Sequence, residues 1–312
     1  MANAREGGVW RRSRLATAVA AVAAAVALAF APAPADAAGD VVEVAQDPAD
    51  VRDYWTPKRM REAIPAGPLA EVDGAAKQRG TIAEPVSRPG KKPKRSHGKV
   101  FFTLGAFDFV CSGTAVRAPA ENVVWTAGHC VYDKPSALEQ PRFVRNWAFV
   151  PGYRDGRRKL GTWAATDLAT TSQWRNCGLT SCENFAHDFG AANVTGPGGK
   201  TLQQRTRGRR IEFNGPRDRT YRAYGYPAGA PFDGQRLYKC RSPWLGNDPS
   251  AGNPPPMQIR CDMTGGSSGG GWVVGGAVAS VISYGYGDDP NSLYGPYQGT
   301  AAQSLYSQVK NG

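Results

Sequence analysis

Asp108-Phe-Val-Cys-Ser-Gly-Thr-Ala-Val116 and, just after it, Asn122-Val-Val-Trp-Thr-Ala-Gly-His-Cys130 decide how the rest of the chain reads. Both are brief runs of β-branched and aromatic residues that stop at small or turn-forming ones, the signature of short strands. The pattern extends outward. Lys99-Val-Phe-Phe-Thr-Leu104 precedes it and Trp147-Ala-Phe-Val150 follows. Later runs are Arg210–Phe213, Thr220–Tyr226, Gln235–Cys240, Gly271–Val274 and Ala277–Tyr284, punctuated throughout by Gly, Pro, Asn and Asp. Many short strands at regular spacing predict an all-β barrel or sandwich. Only Thr300–Lys310 has helical spacing, with Ala302, Leu305, Tyr306 and Val309 on one face.

The chain has 312 residues, with 38 Lys+Arg against 26 Asp+Glu, a net charge of +12. That composition excludes a coiled coil, a collagen-like repeat and a wholly disordered chain. A mild positive field without interleaved basic and aromatic residues argues against a nucleic-acid module. Residues 1–37 read as a secretory leader: Arg5, Arg11, Arg12 and Arg14, an apolar run from Leu15 to Phe30, then a small-residue site ending at Ala37. The run falls short of the ~20 residues that span a bilayer. Either general export or a twin-arginine route fits it. Residues 38–98 are rich in Pro, Ala and charge, and read as a propeptide or a flexible linker. A short helix over Asp50–Ile64 is expected there, broken by Pro57, with little apolar surface to bury.

Export implies disulfides. The six cysteines are Cys111, Cys130, Cys177, Cys182, Cys240 and Cys261. Nearest-neighbour pairing gives Cys111–Cys130, Cys177–Cys182 and Cys240–Cys261, one of the ~15 pairings that six allow. Three histidines and no Cys-x-x-Cys pair make a poor metal site, so no metal or organic cofactor is implied.

Three segments carry chemistry. Val124-Trp-Thr-Ala-Gly-His-Cys130 offers His129, Ala186-His-Asp-Phe-Gly190 offers Asp188, and Cys261-Asp-Met-Thr-Gly-Gly-Ser-Ser-Gly-Gly-Gly271 offers Ser268. Acyl transfer needs a hydroxyl activated by a base, a carboxylate that fixes the base's tautomer, and N–H groups aimed at the oxyanion. Glycines around Ser268 permit the turn that aims them.

Here the sequence resembles the chymotrypsin-like serine peptidases, especially secreted bacterial ones, over residues 99–312. Thr126-Ala-Gly-His-Cys130 matches the family's histidine motif, Cys111-Ser-Gly-Thr114 the strand whose cysteine pairs with Cys130, and Gly266-Ser-Ser-Gly-Gly270 the serine motif. The resemblance implies two packed six-stranded Greek-key β-barrels with a short C-terminal helix. It implies Ser268 as nucleophile, His129 as general base and acid, Asp188 as the orienting carboxylate, and Gly266 and Ser268 as oxyanion donors. Ser283-Tyr-Gly285 resembles the strand that lines the primary pocket and pairs with substrate. Asp262 stands at the offset of a pocket-base carboxylate that would select Arg or Lys; a strand-end role is the other reading. The glutamyl endopeptidases are related, but Val281-Ile-Ser-Tyr-Gly285 lacks the histidine they use. Ser267 replaces an aspartate that digestive members use in activation, so activation here is expected to differ.

The expectation is therefore a secreted serine endopeptidase made as a precursor, acting as a monomer on proteins or peptides, with no nucleic-acid partner and no membrane attachment once the leader is removed. A catalytically silent binding or adhesion module on the same double barrel is the alternative. His187, beside Asp188, should face away, and Asp167 is a second-choice acid without the matching context.

Overall fold

Strand propensity becomes sheet wherever a run can bury one face. The first sheet contains β1 (His97–Leu104), β2 (Phe107–Ala115), β3 (Val123–Thr126), β4 (Arg145–Pro151), β5 (Trp163–Thr170) and β6 (Gly190–Thr195). Their order is β5-β6-β3-β2-β1-β4, and β4 pairs back to β5 through Trp163 and Phe149, so the ring closes. The computed structural model describes residues 40–44, 46–67, 82–91, 94–133, 139–176 and 184–312. The leader and the Cys177–Cys182 pair lie outside the described residues. Inside the ring, Val100, Phe102, Cys111, Trp125, Phe149 and Leu168 form a buried core.

The second sheet holds β7 (Thr220–Gly225), β8 (Tyr238–Asn247), β9 (Met257–Arg260), β10 (Gly271–Val274), β11 (Ala277–Val281) and β12 (Asp289–Gly295). It runs β11-β10-β7-β8-β9-β12, with Arg210–Ile211 on one edge and Tyr284–Tyr286 on the other. As a hydrogen-bonded ladder it is open, where a second closed ring was expected. The cause is a strand that changes partners. After β11 the chain passes through Ile282, whose N–H donates to Gly270, and Ser283, whose N–H donates to Tyr294, before joining β12. The chain itself bridges the two edges, so no continuous ladder does. Tyr221, Cys240, Ile259, Cys261, Trp272 and Leu293 fill this half. Cys111 is bonded to Cys130 and Cys240 to Cys261.

The expected C-terminal helix spans Thr300–Val309; Ala302, Leu305 and Val309 are buried against the first sheet's core. The segment before β1 differs from its expectation. It forms helices Pro48–Tyr54 and Pro57–Glu62, separated because Pro57 forces Thr56 into an extended conformation (ψ 159°). Both begin with a capping side chain, Asp47 and Thr56. Val51, Trp55 and Met60 are fully buried against Phe101, Val150, Tyr153 and Tyr226. Average composition hides this, because three well-spaced side chains carry nearly all the burial. Asp40–Glu43 adds a strand to β5, Ile64–Pro65 pairs parallel with β2, and Glu84–Pro85 pairs with β8.

His97 is enclosed where the first sheet meets the second. Its ring stacks on Tyr224 at 4.1 Å, Nδ1 lies 3.0 Å from Thr114 Oγ1, and Nε2 lies 3.3 Å from the Arg209 guanidinium. Arginine only donates, so Nε2 accepts and the ring is neutral. Burial, and then the Arg209 charge, push this imidazole well below its usual range. The unfolded chain therefore binds this proton more readily, and the stability it represents is present above about pH 6.5 and lost as pH falls. Thermal melts should show a midpoint that drops from pH 7 to pH 5, by about 2–4 °C per kcal/mol lost. The slope should be shallower in His97→Gln.

Candidate active site

Each site residue sits where a strand ends. β3 delivers Ala127-Gly-His-Cys130 as a single tight turn, pinned by the Cys111–Cys130 bond. Gly128 has no room for a side chain: a Cβ there would lie 2.8 Å from Trp174 and 2.9 Å from Asp188 Oδ1. The turn Phe185–His187 delivers Asp188 just before β6. His129 and Asp188 thus approach from adjacent strands of one sheet.

Asp188 is fully buried and fully engaged. Its Oδ1 accepts the His129 backbone N–H at 2.9 Å, and its Oδ2 accepts His129 Nδ1–H at 2.8 Å and the Ser283 hydroxyl at 2.5 Å. The carboxylate fixes the tautomer, leaving Nε2 as the free nitrogen. Burial by itself would lower the His129 pKa; the charge and hydrogen bond of Asp188 outweigh it and raise the imidazole above its ordinary value. His129 Nε2 has no hydrogen-bond partner among the described residues.

Ser268 comes from the loop between β9 and β10 and is fully buried. Gly266 (φ +88°) and Gly269 (φ +78°) flank it in the left-handed region that favours glycine. Ser112 ties the loop to the first sheet: its hydroxyl donates to Gly266 O at 2.9 Å, and its N–H donates to Ser268 O at 2.7 Å. Ser267 points elsewhere, donating to Thr264 O at 2.7 Å.

An N-terminal segment enters this site. Ala66 N–H donates to Val110 O at 3.0 Å. Ala66 O accepts a long bond from the Ser268 hydroxyl at 3.4 Å, and another from Gly266 N–H at 3.5 Å. A Cβ on Gly67 would lie 2.6 Å from Ser268 Oγ and 2.7 Å from His129 Nε2, so those two atoms border one small volume. Nothing in Ile64-Pro-Ala-Gly67 as sequence signals this, because short aliphatic residues carry no motif.

Of the remaining expected residues, Tyr284 is buried, stacked on Phe185 at 4.4 Å, and donates its hydroxyl to Asp248 at 2.7 Å. Gly285 lies in the edge strand Tyr284–Tyr286. Asp262 is 2% exposed, and its oxygens accept the backbone N–H groups of Ile82 (2.8 Å) and Ala83 (2.7 Å). His187 turns away and meets Asn253 O at 3.1 Å. Asp167 accepts the Thr166 hydroxyl at 2.8 Å. Trp174, a packing residue, flanks His129 with ring centroids 6.3 Å apart.

Neither a family model nor a curated protein matches the chain. Solved structures do. The protease Anisep from Arthrobacter nicotinovorans is 36% identical, with 72% of this chain and 99% of that one covered and a TM-score of 0.64. The chain belongs to the trypsin-fold serine proteases. The thermostable serine protease AL20 from an extremophilic microorganism is 42% identical over 69% of this chain and 97% of its own, with a TM-score of 0.62. A Glu endopeptidase, 19% identical over 75% of this chain and 99% of its own with a TM-score of 0.58, shares the fold. The trypsin fold of these relatives implies a double barrel, with the partner-switching strand standing in for a closed second ladder. Asp188→Asn should lower the His129 pKa, read as an acidward shift of its ring-proton NMR titration, because the group that raises it is gone.

Proposed function

We propose that this protein is a secreted serine endopeptidase, synthesised as a precursor, that works through Ser268, His129 and Asp188. One observation carries the reading: the buried chain from Ser283 through Asp188 to His129 ends in a free Nε2 that shares a small volume with Ser268 Oγ. With a peptide in the cleft, His129 Nε2 takes the Ser268 proton as Oγ attacks the scissile carbonyl carbon. The oxyanion is received by the amides of Gly266 and Ser268. His129⁺ then protonates the leaving amine, and water repeats the sequence on the acyl-enzyme. Asp188 stabilises the imidazolium throughout. Tyr284–Tyr286 is an edge strand, paired among the described residues only with β12, so its free side can take an extended substrate backbone.

The precursor half of the reading rests on Ala66 and Gly67. Ala66 O accepts from the N–H of Gly266, one of the two donors assigned to the oxyanion, and the Ser268 hydroxyl donates to it rather than to His129. The segment that carries Ala66 and Gly67, within residues 38–98, thus acts as the propeptide, and the arrangement described is its closed form. Two helices packed by Val51, Trp55 and Met60 hold the plug in register.

A fluorophosphonate probe tests the chemistry. It should label Ser268 in the processed protein and nothing in Ser268→Ala, whose kcat/KM on peptides should fall by about 10⁴-fold or more. A binding module on this fold would show no label in either. For the plug, Gly67→Val puts a side chain onto Ser268 and His129 from a backbone at φ +103°, a strain of about 1–3 kcal/mol. The unprocessed variant should take up the probe at least about tenfold faster than unprocessed wild type.

A further inference from the structure

Lys99 is a buried cation that the mechanism above does not use. It lies in β1, 2% exposed, and its one hydrogen bond among the described residues runs from Nζ to Gly234 O at 3.0 Å. The rings of Phe101 and Tyr153 flank the ammonium, each with its centroid 5.2 Å away. An uncharged donor would satisfy a carbonyl, and a buried ammonium costs folding free energy. The surroundings of Gly234 show where the charge acts. Gly234 closes a loop between β7 and β8, its N–H donating to Pro227 O at 2.8 Å. The other side of this loop is bonded to the segment that carries Ser268. Ala228 N–H donates to Gly265 O at 2.7 Å, and the Thr264 hydroxyl donates to Gly229 O at 2.7 Å. Gly266 rests directly on the loop, since a Cβ there would lie 2.9 Å from Tyr226 O and 3.0 Å from the Ala228 Cβ. Lys99, on the first sheet, thus grips the platform under an amide assigned to the oxyanion.

We propose that Lys99 is a positioning residue: through Gly234 and the loop behind it, its ammonium holds the Gly266 amide in the orientation that receives the oxyanion. This rests on the peptidase reading. Burial pushes the ammonium down to about 8, against a smaller upward pull from Asp233 on the same loop. Tyr153 and Tyr226, which pack beside it, are pushed upward by burial and stay neutral in this range. His97, two residues earlier on β1, is neutral as well. Deprotonation of Lys99 therefore leaves Gly234 O with a weaker donor and ends the attraction to the two rings and to Asp233. The unfolded lysine keeps its proton up to about pH 10.4, so between about pH 8 and that value the unfolded chain binds more protons and stability rises with pH. The grip on the loop weakens over the same window. Stability and turnover thus move in opposite directions, which a purely structural lysine would not produce.

The test compares the secreted, processed protein with Lys99→Met, an uncharged side chain of similar length, in peptide hydrolysis from about pH 6.5 to about pH 9.5. Wild-type kcat should fall as pH rises through about 8. At neutral pH the variant's kcat should be at least about tenfold lower, with KM changed less, and its profile should lack the fall. Its thermal midpoint should be no lower than that of wild type, because a buried charge has been replaced by an apolar group. A variant kcat equal to wild type, or a fall that persists in the variant, overturns the proposal. A lower thermal midpoint with an unchanged pH profile makes Lys99 structural only and also overturns it. If Lys99→Met does not fold, Asp233→Asn decides: it removes the upward pull on Lys99 from an exposed position, so the fall in kcat should move acidward. A fall that stays in place overturns the proposal. Fluorophosphonate labelling of Ser268 in the wild type separates the two readings. An unreactive serine sinks the peptidase and this role with it; a reactive serine with identical profiles in wild type and variant sinks the role of Lys99 alone.

Discussion

The carboxylate of Asp188 is the point on which the two halves of the molecule agree. It sits at zero exposure and accepts from His129, on the first sheet, and from Ser283, on the connection that leads into the second. A buried charge is tolerated only when its lone pairs are filled, and here the filling requires both halves to be in place. The same requirement explains the turn around Gly128, the disulfide behind it, and the two bonds by which Ser112 holds the Ser268 loop. Moving one half by an ångström would strand a charge, so the site's geometry and the packing between the sheets are a single constraint.

The clustering of His129, Asp188 and Ser268 was readable in the residues because each is a rare side chain in a glycine-bounded turn. His129, Asp188 and Ser268 each lie in a segment whose small residues mark a place where backbone must come close. The C-terminal helix was readable from its spacing. The partner-switching strand was not, since nothing in Ile282-Ser283 distinguishes a strand that continues from one that changes neighbours. Ser283 was expected beside substrate; its bond to Asp188 depends on which way one hydroxyl turns in the folded state. The partners of Asp262 are backbone amides, which every non-proline residue has, so no pattern could name Ile82 and Ala83. The arm's burial leaves no mark on composition or periodicity because it depends on Val51, Trp55 and Met60 alone within a polar stretch.

On the precursor reading proposed above, the arm is what would hold a complete set of reactive groups idle. His129 keeps its tautomer and its raised basicity, and Ser268 keeps its loop. Only the last contact, from hydroxyl to imidazole, is replaced by one to Ala66. A single interposed carbonyl suffices because the space is so small.

Val51, Trp55 and Met60 have a further consequence. Each buried side chain of this size is worth about 1.5–3 kcal/mol against exposure, and the strand Asp40–Glu43 adds its ladder to β5. An arm held this way would not leave on the severing of a downstream bond; it would remain as a tightly bound second polypeptide. On the proposed precursor reading, scission and departure would be separate events, and the onset of proteolysis would be timed by a dissociation rate, which responds to dilution and temperature, rather than by the cut itself.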